Sequence, residues 1–196
     1  MILQTERLIL RDWRESDAEP FAGMNADPRV MEFFPAPLSR QESNLLLGRI
    51  QAHFRRHGFG LFVTELRLDS AFIGFIGLSI PDFQAHFTPC VEIGWRLAAE
   101  HWNQGLATEG ARRAAQYAFE SLGSTEIVSF TVPANLPSRR VMEKLGMTHD
   151  PIDDFDHPKL PEGHPLRRHV LYRLARPRQN PARDQVGQDL VSNTRS

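Results

Sequence analysis

The chain has a single cysteine, Cys90, among 196 residues, which excludes an internal disulfide and a cluster of thiolate metal ligands. Placed at the start of an apolar strand, it reads as a small core residue rather than a nucleophile. A charge excess is lacking too: 23 Lys and Arg against 24 Asp and Glu leave a formal net charge of -1. That balance argues against a dedicated nucleic-acid or membrane-surface binder. No apolar run approaches the length of a membrane span, and the N-terminal MILQTERLIL lacks the plan of a secretory signal, so a cytoplasmic location is expected. No internal repeat is visible. With hydrophobic residues at 41%, a chain of this length can bury a sizeable core. One domain is expected over residues 1–175, followed by a polar, aperiodic and disordered tail over 176–196.

What is present is organised around Val91 to Gly123, VEIGWRLAAEHWNQGLATEGARRAAQYAFESLG. A strand-like run containing Gly94 crosses a polar segment with Asn103, Gln104 and Gly105, then continues as an alanine-rich helix. Leu106, Gly110, Ala114, Ala118 and Leu122 form a four-residue ladder, widened by Ala107, Ala111 and Ala115 into one small-residue face that lets a helix lie close on a sheet. Gly123 supplies the stop. At the other end, the amides from Gln104 to Thr108 have no intrahelical partners and the helix dipole is positive, so a diphosphate would satisfy both. An ordinary strand-loop-helix connection without a ligand fits the same residues.

The flanking segments add order. QTERLILRDW reads as an edge strand, and Ser16 or Asp17 caps a helix through about Asn25. Val30 to Pro37 is irregular, with Phe33 and Phe34 either lining a pocket or packing beneath a loop. Ser39 and Glu42 make a capping-box pattern for a helix to about His57. Leu61–Glu65 and Ala71–Ser79 read as a hairpin, Ile127–Val132 as a buried strand, Pro137–Leu145 as a short helix closed by Gly146, and Arg168–Leu174 as a last strand.

Three local matches, TERLILRDW, EIGWRLAAEHWNQGLATEG and ANLPSRRVMEKLGM, occur in this order within about Thr5 to Leu174. The chain thereby resembles the GNAT superfamily of acetyl-CoA-dependent N-acetyltransferases, and within it most the branch of ribosomal-protein N-terminal (alanine) acetyltransferases. The resemblance implies an α/β (α+β) fold with a central, mostly antiparallel mixed sheet of about six to seven strands flanked by about four helices. It implies acetyl-CoA as cosubstrate, no metal, and a primary-amine acceptor on a small molecule or a peptide N-terminus. Monomer and homodimer both remain open. The superfamily's phosphate signature is Gln or Arg, two residues, Gly, one residue, then Gly or Ala; Gly105 and Ala107 match, whereas Trp102 stands at the Gln/Arg position. Carried over, Gln104, Gly105, Leu106, Ala107 and Thr108 contact the pyrophosphate, Ile93, Gly94, Trp95 and Arg96 run beside the pantetheine arm, and Asn135 touches the cofactor. Ser138 protonates the leaving thiolate, with Tyr172 as the alternative donor, and the strand around Ile93 to Trp95 is bulged.

The chemistry needs a neutral amine. An alkylamine of pKa ~10.4 is about one part in a thousand neutral at pH 7, an alpha-amine near ~8 about a tenth, so a base is required most by the former. Glu92, in an otherwise apolar strand, is the expected base, directly or through water; its alternative is a surface carboxylate. Backbone N–H groups near Ile93 to Trp95 would face the oxyanion. Asn135 and Ser138 also fit a plain helix cap. His149 to His169 holds Asp150, Asp153, Asp154, Asp156, His157, Glu162, His164 and His169 without a metal-ligand spacing; beside the acceptor cleft, its carboxylates would attract a cationic amine. Two other classes compete: a non-catalytic CoA-binding sensor or scaffold, and a nucleotide-binding protein using the same turn.

Overall fold

A computed structural model describes residues 2–177, so most of the expected tail lies outside the described residues. The first expected strand is a hairpin instead. Thr5 turns the chain, its hydroxyl accepting from the Leu8 N–H at 2.9 Å, and separates β1 (Ile2–Gln4) from β2 (Leu8–Arg11). β1 takes the edge, and β2 lies inside against β3 (Leu61–Leu66).

Between them run α1 (Ala18–Ala26) and α2 (Arg40–His57). The capping box is present at α2: Ser39 Oγ accepts from the Glu42 N–H, and the Ser39 N–H donates to Glu42 at 2.8 Å. Asp17 precedes α1 but makes no side-chain cap to it. Its carboxylate accepts the Arg14 N–H at 2.6 Å and two Arg11 bonds at 2.8 Å.

β4 (Phe72–Ser79) completes the expected hairpin with β3; then follow β5 (Glu92–Leu97), α3 (Leu106–Glu120), β6 (Glu126–Thr131), α4 (Leu136–Leu145), β7 (Thr148–His149), β8 (Phe155–Asp156) and β9 (Arg168–Ala175). Strand order is β1-β2-β3-β4-β5-β6-β9-β7, with β8 on β9. Every pair is antiparallel except β5–β6. The described residues thus hold a mixed α/β fold with nine strands and four α-helices. The excess over six or seven strands comes from β1, β7 and β8, each of two or three residues, too short to leave a period-2 pattern.

α3 packs on one face of the sheet through its small residues: Ala111, Ala114 and Ala118 are fully buried with Ile76, Leu78, Ile93 and Ile127. A Cβ at Gly110 would come within 2.4 Å of Ile76 Cδ1, so any larger residue there would push the Ile76 side chain aside. α1 and α2 cover the opposite face, where Phe21, Met24, Leu47 and Ile50 meet Phe75.

One polar group is built into this frame. Arg11, Asp17 and Glu65 are each about 95% buried, and Arg11 hydrogen-bonds both carboxylates. Burial pushes Asp17 up, but the Arg11 bonds and the Arg14 N–H outweigh it and hold the carboxyl below its usual range. Removing the cation strands two buried negative charges. Arg11→Met is therefore expected to cost about 3–5 kcal/mol in denaturant unfolding, and a loss under 1 kcal/mol would show that the triad is solvated in solution.

Candidate active site

β5 and β6 run parallel but pair at one register position, Glu92 with Val128, where the Val128 N–H bonds Val91 O at 2.9 Å. Beyond it the strands share no register and part. β5 bonds β4 without a shift from Glu92 to Leu97; the irregularity lies between β3 and β4 at Thr64/Glu65, so the bulge the resemblance implies in β5 is not seen in its pairing with β4. Ala98 N–H donates to Ile73 O, which sets the alternation: Arg96, Gly94 and Glu92 exchange bonds with β4, and Ile93 and Trp95 turn their backbone groups toward β6. Past Glu92 there is no strand partner on that side, leaving the Trp95 N–H at the open edge.

The chain leaves β5 through a 3-10 turn at Ala99–His101 and reaches α3 by two left-handed residues, Asn103 at φ 59° and Gly105 at φ 78°. Gly105 is the N-cap of α3 and makes no side-chain cap bond, which leaves the first amides of a fifteen-residue helix facing outward. Trp102, unexplained as a phosphate residue, has a structural part: its indole N–H donates to Leu97 O at 2.8 Å, tying the end of β5 to the turn. Gln104 bonds Glu100 O at 3.1 Å through its side chain.

Sequence reasoning missed Arg7. Its guanidinium bonds Glu109 in the first turn of α3 and Gln104 O at 3.0 Å, and a Cβ on Gly105 would lie 3.6 Å from Nη2. An Arg7–Glu109 ion pair thus stands at the turn where Trp102 replaces the consensus side chain. The signal lay in TERL at the far end of the sequence, where nothing ties it to residue 105.

Glu92, Gly94 and Arg96 share the sheet face opposite α3. Ser79 Oγ donates to Glu92 at 3.0 Å. Burial of the carboxylate pushes its pKa up to about 7, partly offset by that bond. Among the described residues no cation compensates it. At neutral pH such a group holds its proton about half the time, the condition for general-base work at that pH.

At the end of β6, the Asn135 carbonyl oxygen accepts from Ser138 N–H at 3.2 Å and its amide donates to Thr131 at 3.0 Å. Asn135 therefore caps α4, with Ser138 in the first turn. Both follow β6, which ends at Thr131, and open α4. Tyr172 is buried, stacks on His149 at 5.1 Å, and its hydroxyl accepts from Arg139 Nε at 3.2 Å. It pairs with Ser129, one residue out of phase with Val128, so its side chain lies on the face away from Glu92; the structure does not bring those two together.

Burial pushes the Cys90 thiol up to about 11, so its thiolate is scarce at neutral pH. Three carboxylates of the acidic segment have basic side chains beside them: Asp153 meets Arg173 at 2.7 Å and His86 at 3.4 Å, Asp154 meets His149 at 2.7 Å, and Asp156 lies 3.5–3.6 Å from Arg167 and Arg168. Asp153, Asp154 and Asp156, expected to attract a cationic acceptor, each already have a side-chain partner within the protein. Among the described residues, no three His, Cys, Asp or Glu side chains group to hold a metal ion.

This geometry agrees with comparisons to known proteins. Residues 7–148 match the acetyltransferase (GNAT) domain. Over 160 residues the chain is 32% identical to the FsC-acetyl coenzyme A-N(2)-transacetylase of Aspergillus fumigatus, covering 75% of this chain and 65% of that relative; it spans just under two thirds of that protein's length. The acetyltransferase of Agrobacterium tumefaciens has a similar structure, with a TM-score of 0.72 at 28% identity over 90% of this chain and 95% of that one. The ribosomal-protein-S5-alanine acetyltransferase of Vibrio fischeri gives 0.69 at 17%, covering 92% and 100%. The chain belongs to the GNAT acetyltransferase family, whose members use acetyl-CoA. The narrower ribosomal-protein branch is not established, because the Vibrio likeness at 17% identity shows the fold alone.

A raised carboxylate pKa has a stability signature. Folding favours the protonated Glu92, so its contribution is full below the ordinary value of 4.5 and is lost as pH rises through about 7. Glu92→Gln is expected to unfold at a higher temperature than the parent at pH 8 and with little difference at pH 4, a relative gain of at most roughly 3 kcal/mol. Equal melting differences at both pH values would mean that Glu92 is solvated.

Proposed function

We propose that the protein moves an acetyl group from acetyl-CoA to a primary amine by direct attack in a ternary complex. The observation that carries this reading is Glu92, a desolvated carboxylate with a pKa of about 7, one strand position from the open edge of β5. When bound, acetyl-CoA supplies the thioester carbonyl. Leu106, Ala107 and Thr108 offer backbone amides to its diphosphate, the small side chain at Ala107 and the left-handed Gly105 keep that surface accessible, and Arg7, paired with Glu109, braces the turn through Gln104 O. The Trp95 N–H at the unpaired edge stabilises the oxyanion, a donor worth a few kcal/mol. Glu92 takes the amine proton, and Ser138, with Tyr172 as the alternative donor, returns one to the thiolate. With the Cys90 thiol held up at about 11, an acyl-cysteine intermediate has no ready nucleophile.

The acceptor is a primary amine on a small molecule or a peptide N-terminus. The name of the Aspergillus relative, FsC-acetyl coenzyme A-N(2)-transacetylase, supports transfer to nitrogen.

Two variants separate the parts. Glu92→Gln should lower kcat/KM about 100-fold or more, most severely near neutral pH, with CoA affinity retained. Arg7→Ala should weaken CoA binding and leave the pH profile in place. Both are read by acetyl-CoA-dependent mass increase across an amine and peptide panel and by CoA titration. Normal turnover of Glu92→Gln across pH would remove Glu92 as the base. Binding of CoA by the parent without acetylation of any amine would favour a CoA-binding module instead.

A further inference from the structure

Arg96 lies on the same face as Glu92, four residues along β5, about 13 Å away at a strand's rise of ~3.3 Å per residue. Its guanidinium is held rather than free. Nη1 donates to Asn25 Oδ1 at 2.6 Å, and Asn25, fully buried, is itself fixed by donating to Ser43 Oγ at 2.9 Å. Phe34 lies over the guanidinium at 4.1 Å and Phe75 at 5.3 Å.

What this cation lacks is an anion. Among the described residues no carboxylate pairs with it, in contrast with Arg7, Arg11 and Arg173, each of which meets one. Nε is buried without a hydrogen-bond partner. Burial lowers the pKa to about 10 with no opposing charge to raise it, which still leaves the group cationic at neutral pH. An unpaired, desolvated guanidinium with an orphaned donor is costly, and its planar fork matches a carboxylate or phosphate.

We infer that the Glu92 face of β5 takes an amine that also bears an anionic group, a carboxylate or a phosphate, and that Arg96 binds that group beneath Phe34. This rests on the acetyltransferase reading for the amine end: Glu92 receives the proton while Arg96, Asn25 and Phe34 hold the other end of the same small molecule. It assigns a use to Phe34, which is 39% exposed yet stacked on a charge rather than packed in the core. It also reverses the sign of the acceptor charge expected from the acidic segment.

The test uses ω-aminocarboxylates and ω-aminoalkyl phosphates of increasing length, each against the matching alkylamine. Binding to the CoA-saturated full chain is measured by calorimetry, and acetylation by mass spectrometry. The parent should prefer the anionic member of a pair by about tenfold or more, and the carboxylate and phosphate series show which anion is read. Arg96→Met should bring that ratio close to one, and Arg96→Lys should retain part of it, since the charge survives and the fork does not. Because the readout is a ratio within each variant, a general loss of fold or CoA affinity does not mimic it. Equal binding of both members by the parent, or a preference that survives Arg96→Met, would overturn the inference. Anion-selective binding without acetylation would refute the transferase reading and leave the Arg96 site standing; acetylation of alkylamines with no anion preference would do the reverse.

Discussion

The parting of two parallel strands governs this molecule. β5 and β6 meet only at Glu92 and Val128, and every other feature of the site follows from their divergence. A sheet that stayed paired would satisfy the Trp95 backbone and leave no opening; here α3 starts from one side of the gap and α4 from the other. The helices hold those positions by packing. α3 lies close on the sheet because its inner face is alanine and glycine, and α4 is tied to it where Arg112 bonds Lys144 O at 3.2 Å. Trp102 ties the return from strand to helix to the end of β5 through Leu97 O.

Two desolvated carboxylates show how partners decide chemistry. Asp17 is desolvated yet kept ionised by Arg11 and a backbone N–H, which makes it a structural tie between β2 and the start of α1. Glu92 is desolvated with only a serine hydroxyl to help, and its pKa rises to about 7. The difference is a cation. Arg96, the cation nearest along the strand, sits beyond reach of Glu92 and is engaged by Asn25 and two aromatic rings. Separation of these opposite charges keeps one basic and the other without a carboxylate partner among the described residues.

Much of this frame was legible in the residues. The four-residue ladder of α3, the Ser39 and Glu42 capping box, the β3–β4 hairpin and the Gly146 stop are local patterns, and local patterns survive folding. Glu92 stood out because a carboxylate in an apolar strand is conspicuous. The rest depended on contacts distant in sequence. Arg7 reaches residue 105 only because β2 passes near α3; Arg96 reads as an ordinary strand cation until Asn25 and Phe34 are brought to it. Asp17 looked like a cap because short acidic residues before helices usually are, and the triad with Arg11 and Glu65 took precedence. The acidic run at 149–169 looked like an attractive surface because the arginines and histidines that pair with it come partly from β9 and the loop at His86.

The claim on which these points converge is that the thioester lies in the gap between β5 and β6. Its most direct measurement is a crystal structure of the protein with a non-hydrolysable acetyl-CoA analogue. The account predicts the carbonyl oxygen within about 3 Å of the Trp95 N–H and the diphosphate against the amides of Leu106 to Thr108. An analogue bound elsewhere, or a Trp95 N–H bonded to protein in the complex, would contradict it.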